Sequence, residues 1–136
     1  MICVLIRRSV YRLNKIALYQ VRINSIFVKK ITVLKVYFLG TGTSQGIPVI
    51  GSNHSVCQST DTKDKRLRVS VWIHWDDYSY IIDCGPDFRQ QMLVSRCPKV
   101  DGILYTHEHA DHTAGLDDIR PYNFKQGAIP IYAHQR

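Results

Sequence analysis

The sequence predicts a mixed α/β (α+β) fold from three patterns along residues 34–136. Residues 34–39 have the β-rich composition of a short strand, and the glycine-rich stretch 40–46 ends it. Apolar and polar residues then alternate from 67 to 76, which is the period of a half-buried strand. After Asp87, apolar residues recur with helical spacing. Strands and helices are therefore expected to follow one another along the chain.

Turn residues and prolines place the elements in the middle of the chain. Residues 76–79 are expected to form a turn, and residues 80–83 to return as the partner strand of a hairpin. Asp87 can cap the free amides of the next helix with its side chain, and Pro98 ends that helix. His74 falls on the polar face of its strand, so we expect it at the surface.

The last third of the chain is predicted to contain two strands and a helix. Residues 100–105 form an apolar strand, and residues 129–133 resemble a short edge strand. From Gly115 a helix is expected to run until Pro121 disturbs it. His134, after the last strand, is expected to be a surface residue.

The most informative segment follows the strand at 100–105 and contains His107, His109, Asp111 and His112. Side chains two residues apart in an extended backbone point the same way, so His107 and His109 can converge on one ion. Neutral imidazole and carboxylate groups suit zinc and similar divalent ions. The alternative is a solvated, histidine-rich loop without a metal. The spacing favours a metal-binding loop with room for a second ion.

Four motifs carry a family resemblance. They are the HxHxDH pattern at 107–112, the opening loop at 36–48, the turn at 81–87 and the stretch 115–121. Together they resemble the metallo-β-lactamase superfamily, from about residue 34 to the C-terminus. Within it they look like the phosphodiesterase branch, which includes the phosphoribosyl cyclic phosphate phosphodiesterases and, more distantly, tRNase Z.

The resemblance implies an αββα sandwich, of which this chain would supply the first half only. It implies two divalent metal ions, zinc in the first place and manganese or iron as alternatives. His107 and His109 would hold the first ion, and Asp111 and His112 the second. Asp111 would also be the catalytic residue that directs a metal-activated hydroxide and takes up its proton. Asp83 would orient the site through hydrogen bonds.

The same resemblance raises the question of a structural zinc near residues 51–57. Several relatives have three cysteines there, whereas this chain has Ser52, His54 and Cys57. Only His54 and Cys57 could still be ligands, which is too few for a closed tetrahedral site. Loss of the structural zinc is the favoured interpretation.

The positive charge of the chain lies at its N-terminus. Residues 1–60 carry eight basic side chains and no acidic one, whereas the whole chain has a net charge of +7. We predict that residues 1–33 are a basic extension outside the domain and that residues 34–136 are the N-terminal half of a metallo-β-lactamase-like domain. The extension could bind nucleic acid or an anionic membrane surface, or act as a transit-like presequence. The favoured interpretation is that translation starts at the Leu34 codon, so that the extension is not part of the native protein.

The apolar stretches and the cysteines limit the compartment and the partners that we expect. No apolar stretch reaches the length of a membrane span, and the four cysteines lack CxxC spacing, so free thiols in a cytoplasmic protein are expected. The oligomeric state stays open.

The predicted function is hydrolysis of a small phosphodiester or cyclic phosphate, slow or absent in this chain because further ligands would lie beyond it. The alternatives are a nucleic-acid-binding or RNA-processing protein that uses the basic arm, and a thioester hydrolase of the same superfamily.

Overall fold

A computed structural model describes residues 12–13, 16–22 and 33–134. Over these ranges the strands form one sheet whose spatial order follows the chain order, from β1 to β7. Neighbouring strands are antiparallel from β1 to β5, whereas β5, β6 and β7 are parallel. The strands are β1 (Arg12–Leu13), β2 (Ile16–Arg22), β3 (Val33–Gly40), β4 (Ser70–Trp75), β5 (Tyr78–Ile82), β6 (Gly102–Leu104) and β7 (Ile131–Tyr132).

Helices supply the connections between the parallel strands. The helix α2 joins β5 to β6, and α3 and α4 lie between β6 and β7. Two short 3₁₀ segments occupy Thr62–Asp64 and Leu116–Ile119. The α-helices are α1 (Ser55–Gln58), α2 (Phe88–Ser95), α3 (Ala110–Thr113) and α4 (Arg120–Gln126). The predicted mixed α/β fold is confirmed.

Helices cover one face of the sheet and form the core with it. Trp72 of β4 stands opposite Ile81 of β5, and Ile81 stands beside Ile103 of β6. Ile81, Ile103 and the helical residue Phe88 are fully buried. Burial of such side chains contributes about 1.5–3 kcal/mol each, so this layer holds the parallel part of the sheet together.

The strand predicted at 67–76 exists, but the face expected to be buried was wrong. Ser70 and Trp72 are buried on the helix-covered face, whereas Val71, Ile73 and Trp75 are half-buried on the other. Alternation shows that a strand has two faces, but the neighbouring layer decides which face is covered. His74 shares the face of Trp72 and is half-buried, with its Nδ1 3.2 Å from the Ser79 hydroxyl, rather than at the surface.

The opposite face of the sheet is apolar and only partly buried. Phe38 and Leu104 are 38% and 37% exposed there. Trp75 stacks on Tyr80 with ring centroids 5.1 Å apart. We call this the open face, and it consists of Phe38, Val71, Ile73, Trp75, Tyr78, Tyr80, Ile82 and Leu104.

Two helix predictions need correction. The helix after Asp87 is present, but the Asp87 side chain makes no capping bond, because its carboxylate binds Arg68 instead. Pro121 was expected to disturb a helix from Gly115, yet it lies in the first turn of α4. The first turn has no partner for its amides, so proline starts a helix there without losing a hydrogen bond.

The strand predictions near the C-terminus hold with shorter bounds. The strand expected at 100–105 is limited to Gly102–Leu104, and the edge strand expected at 129–133 to Ile131–Tyr132. His134 is exposed, as predicted.

The structure describes only part of the predicted N-terminal extension, residues 1–33. β2 pairs with β3 from Leu18↔Tyr37 to Arg22↔Val33, while residues 1–11, 14–15 and 23–32 lie outside the described part of the chain. The placement of residues 1–33 outside the domain stays a prediction. Within the described residues, no helix has the length and apolar character needed to cross a membrane.

Candidate metal centre

The predicted metal-binding loop leaves the sheet at the end of β6. Tyr105 continues past the strand and donates its amide to Tyr132 O at 2.8 Å. His109 then precedes the single turn of α3, and its carbonyl accepts from the amide of His112 at 3.0 Å. This turn places Asp111 beside His112 at the carboxyl end of the strand, where open α/β sheets commonly bind ligands.

The four predicted ligands lie together. The ring centroids of His107 and His109 are 4.7 Å apart, and those of His107 and His112 are 3.9 Å apart. Asp111 Oδ2 lies 3.1 Å from His112 Nε2. His109 is exposed, whereas the other three are partly buried. Three imidazoles and a carboxylate therefore converge on one small region of the surface.

Asp83 fixes the orientation of His112. Its side chain is buried, and its backbone has a positive φ of 62°, which aspartate tolerates better than most residues. The carboxylate accepts from the amide of Thr106 at 2.9 Å and from the Thr106 hydroxyl at 2.8 Å. It also lies 2.8 Å from His112 Nδ1. Because a carboxylate only accepts, Nδ1 carries the proton, and Nε2 is left for another partner.

The partner facing His112 Nε2 is the Asp111 carboxylate. A nitrogen lone pair and a carboxylate oxygen 3.1 Å apart need a cation between them, either a proton or a metal ion. Imidazole and carboxylate are ligands that zinc accepts. The donor chemistry therefore fits a divalent ion.

The four side chains lie close together without forming a complete ligand set for one ion within the described part of the chain. Across residues 12–13, 16–22 and 33–134, no three His, Cys, Asp or Glu side chains are grouped to hold one ion. His107 has its Nδ1 2.9 Å from the Thr106 hydroxyl, so a metal would have to use its Nε2 or displace that contact. The predicted roles of His107, His109, Asp111 and His112 as ligands stay predictions.

Two glycines bring the loop of Asp83 against the metal-binding loop. Cys84 donates its amide to His112 O at 2.8 Å, and Gly115 donates to Cys84 O at 2.9 Å. A Cβ added to Gly85 would stand 2.0 Å from Asp111 O, and one added to Gly115 would stand 2.0 Å from Gly85 O. The backbones thus approach too closely for any side chain, which holds Asp111 and His112 in place.

Thr106 is the functional residue that the sequence interpretation missed. Its amide and hydroxyl bind Asp83, and its hydroxyl also contacts His107. Its position directly before the first histidine was the available signal. The neighbouring Cys84 has a different character, because burial raises the pKa of its thiol to about 12. Without a bound ion, Cys84 stays protonated at neutral pH, and its backbone supports the loop.

The candidate structural-zinc residues make local hydrogen bonds. His54 Nδ1 accepts from the Val56 amide at 3.3 Å and so caps α1. Cys57 Sγ accepts from the Val49 amide at 3.5 Å. Hydrogen bonds from Ser52 and the Val49 amide lower the pKa of the Cys57 thiol. The proposal that the structural zinc is lost stays untested.

Family comparison matches residues 78–136 to the beta-lactamase superfamily domain. A protein named octanoyltransferase from Porphyromonas gingivalis is 45% identical over 103 residues, covering 75% of this chain and 21% of that protein. A ribonuclease Z from Methanococcus aeolicus is 33% identical over 104 residues, covering 73% of this chain and 27% of that protein. The chain thus spans under a third of the length of these relatives.

Solved structures agree with this assignment. A diphosphatase from the PhnP family superposes with a TM-score of 0.71 and 45% identity, covering 75% of this chain and 42% of that one. The zinc-bound PqqB from Methylobacterium extorquens superposes with a TM-score of 0.57 at 18% identity, over 74% of this chain and 49% of that one, and this likeness shows the fold alone. Over about three quarters of its length the chain therefore has the metallo-β-lactamase fold, and it is similar there to the PhnP family.

Proposed function

We propose that this chain supplies the metal-binding half-site of a hydrolase that cleaves phosphodiesters or cyclic phosphates. The arrangement of Asp83, His112 and Asp111 is the observation that carries the proposal. The buried Asp83 carboxylate holds Nδ1 of His112, and Nε2 of the same ring therefore faces the Asp111 carboxylate. The similarity to a PhnP-family diphosphatase supports the choice of a phosphate substrate.

His107 and His109 would hold one ion, and Asp111 and His112 the other. Bound divalent ions lower the pKa of a water toward about 7 and stabilise charge on phosphoryl oxygens. Asp111 is partly exposed beside His112, so its carboxylate can accept the proton of an attacking water. Asp83 keeps His112 in the tautomer that leaves Nε2 unprotonated. Glu108 is exposed and is not assigned a role.

Hydrolysis of bis(p-nitrophenyl) phosphate with added Zn²⁺ or Mn²⁺ tests this proposal. We expect slow, metal-dependent turnover and a rise in unfolding temperature with Zn²⁺, and we expect Asp111→Asn to lose both. Asp101→Asn is the matched control, because Asp101 accepts a backbone amide of Ser79 but does not belong to the centre. If the chain neither hydrolyses the diester nor gains stability from the ions, the proposal is wrong.

RNA processing is a second candidate, favoured by the ribonuclease Z relative and by the basic side chains of residues 1–60. Binding of RNA through phosphate contacts would weaken steeply as salt increases. RNA affinity that does not depend on salt would contradict this candidate.

Thioester hydrolysis is a third candidate. The octanoyltransferase relative gives it some support, but the match covers only 21% of that protein. An octanoyl thioester assayed beside the diester separates the two activities, and faster cleavage of the thioester would favour this alternative.

A further inference from the structure

Arg68, just before β4, connects two other parts of the molecule. Its Nε donates to Ser44 O at 2.9 Å, and its Nη1 donates to Asp87 Oδ1 at 3.0 Å. Its backbone amide donates to Asp87 Oδ2 at 2.8 Å, and its carbonyl accepts from Gln91 Nε2 at 2.9 Å. Both the main chain and the side chain of Arg68 are therefore fixed.

The first part is residues 40–46, which we call the glycine loop. Gly42 donates its amide to Leu67 O at 2.8 Å, and Ile47 donates to Arg66 O at 2.8 Å. A Cβ on Gly40 would stand 1.9 Å from Arg68 O. The glycine loop thus lies directly on residues 66–68, and Arg68 also holds its far side through Ser44.

The second part is the start of α2, which leads to the metal centre. Asp87 follows Gly85 by two residues, and Phe88 donates its amide to Gly85 O at 3.0 Å. Gly85 packs directly on the Asp111 carbonyl. A short path of close contacts therefore runs from Ser44 through Arg68 and Asp87 to Asp111.

The Arg68–Asp87 pair is more shielded from solvent than the surface ion pair of Arg120 and Asp117. The two side chains are 26% and 20% exposed, compared with 67% and 76% for Arg120 and Asp117. Exposed pairs contribute little because water and salt screen them. Here the Asp87 carboxylate accepts hydrogen bonds from both the guanidinium and the backbone amide of Arg68. The two bonds fix the relative orientation of the two residues and also pair their charges.

We propose that Arg68 and Asp87 are positioning residues that link the glycine loop to the metal centre and hold the loop where it can contact the phosphodiester. This rests on the proposed hydrolase function. The exposed loop residues Thr43 and Ser44 carry hydroxyls that can donate to phosphate oxygens. The pair then governs how well substrate is held, whereas Asp83 governs how well the metal is held.

Hydrogen exchange and kinetics of Arg68→Met, Arg68→Lys and Asp87→Ala test this proposal. In the absence of metal, we expect Arg68→Met and Asp87→Ala to speed exchange of the Gly42 and Ile47 amides about tenfold, because local opening becomes easier. The amide of Ile103 in β6 should keep its rate, which a general loss of stability would not allow. Lys99→Met, which removes a different ion pair with Asp101, is the control.

The kinetic arm uses bis(p-nitrophenyl) phosphate and saturating Zn²⁺. We expect Arg68→Met and Asp87→Ala to raise KM about tenfold, the effect of losing one charge-assisted hydrogen bond, with kcat and Zn²⁺ affinity nearly unchanged. Arg68→Lys should recover part of the loss. Unchanged exchange at Gly42 and Ile47, or a fall in kcat without a change in KM, overturns the proposal. If the wild-type chain shows neither hydrolysis nor a rise in unfolding temperature with Zn²⁺, the proposed function fails, and the exchange rates alone decide whether the pair holds the loop.

Discussion

Asp83→Asn replaces an acceptor with a donor at the point where His112 is held. Asparagine has nearly the same size and also tolerates the positive φ of 62° at this position. Its oxygen can keep the bonds from the Thr106 amide and hydroxyl to Oδ1, at 2.9 and 3.0 Å. Its NH₂ group would then face His112 Nδ1, which lies 2.8 Å from Oδ2 in the native chain. His112 must turn Nδ1 into an acceptor, so the proton moves to Nε2.

A proton on Nε2 blocks the nitrogen that faces Asp111. We therefore expect Zn²⁺ affinity to fall about 10- to 100-fold, the usual effect of losing the outer partner of a metal-bound histidine, or about 1.4–2.7 kcal/mol. The free energy of unfolding should fall by about 1–3 kcal/mol, because one charge-assisted hydrogen bond is replaced. The loss of metal affinity is the specific effect, and the loss of stability is the general one.

Calorimetric Zn²⁺ titration and ¹⁵N spectra of the histidine rings measure the two effects. Asp101→Asn is the control, because the Asp101 carboxylate accepts from the Ser79 amide at 2.7 Å and from Lys99 Nζ at 3.1 Å, away from the centre. It should lose stability and keep its Zn²⁺ affinity. If Asp83→Asn binds Zn²⁺ as tightly as the native chain, or keeps the native tautomer of His112, then Asp83 only supports the loop and the reasoning is refuted.

Three further predictions concern stability. Gly85→Ala should lower the free energy of unfolding by about 1–3 kcal/mol. Its Cβ would stand 2.0 Å from Asp111 O, whereas ordinary contact begins near 3.4 Å. An unchanged thermal midpoint would contradict this close approach. Stability should fall as pH rises above 9, because burial raises the thiol pKa of Cys84 to about 12 and of Cys97 to about 11, whereas the unfolded thiols ionise near 9.0. Denaturant titrations should show a slope of up to about 1.4 kcal/mol per pH unit per thiol, and Cys84→Ala should reduce it. A chain that begins at Leu34 should unfold at the same temperature as the full chain, and a marked drop would assign β2 to the domain.

Local patterns predicted the parts of the molecule that depend on local physics. Hydrophobic periodicity and turn residues act over a few neighbouring positions. They were enough to predict the hairpin of β4 and β5, the helix after Asp87 and the edge strand β7. The close approach of His107, His109, Asp111 and His112 follows from their spacing along one short loop.

The features that were missed depend on contacts between distant residues. The covered face of β4 is decided by the helices that pack on the sheet, and no pattern within 67–76 could identify it. Asp87 binds Arg68 across 19 positions of sequence, so the capping role that its local position suggested was lost. Thr106 reaches Asp83 across 23 positions, and only the fold shows that its hydroxyl joins the centre.

The two faces of the sheet carry the two tryptophans of the chain separately. Trp72 is 6% exposed beneath the helices, whereas Trp75 stacks on Tyr80 at the open face. The described part of the sheet thus has one tryptophan per face, three positions apart on the same strand. Trp75→Phe leaves an emitter shielded from collisional quenchers, and Trp72→Phe leaves one that they can reach. Quenching of the second variant would report directly when another surface covers the open face.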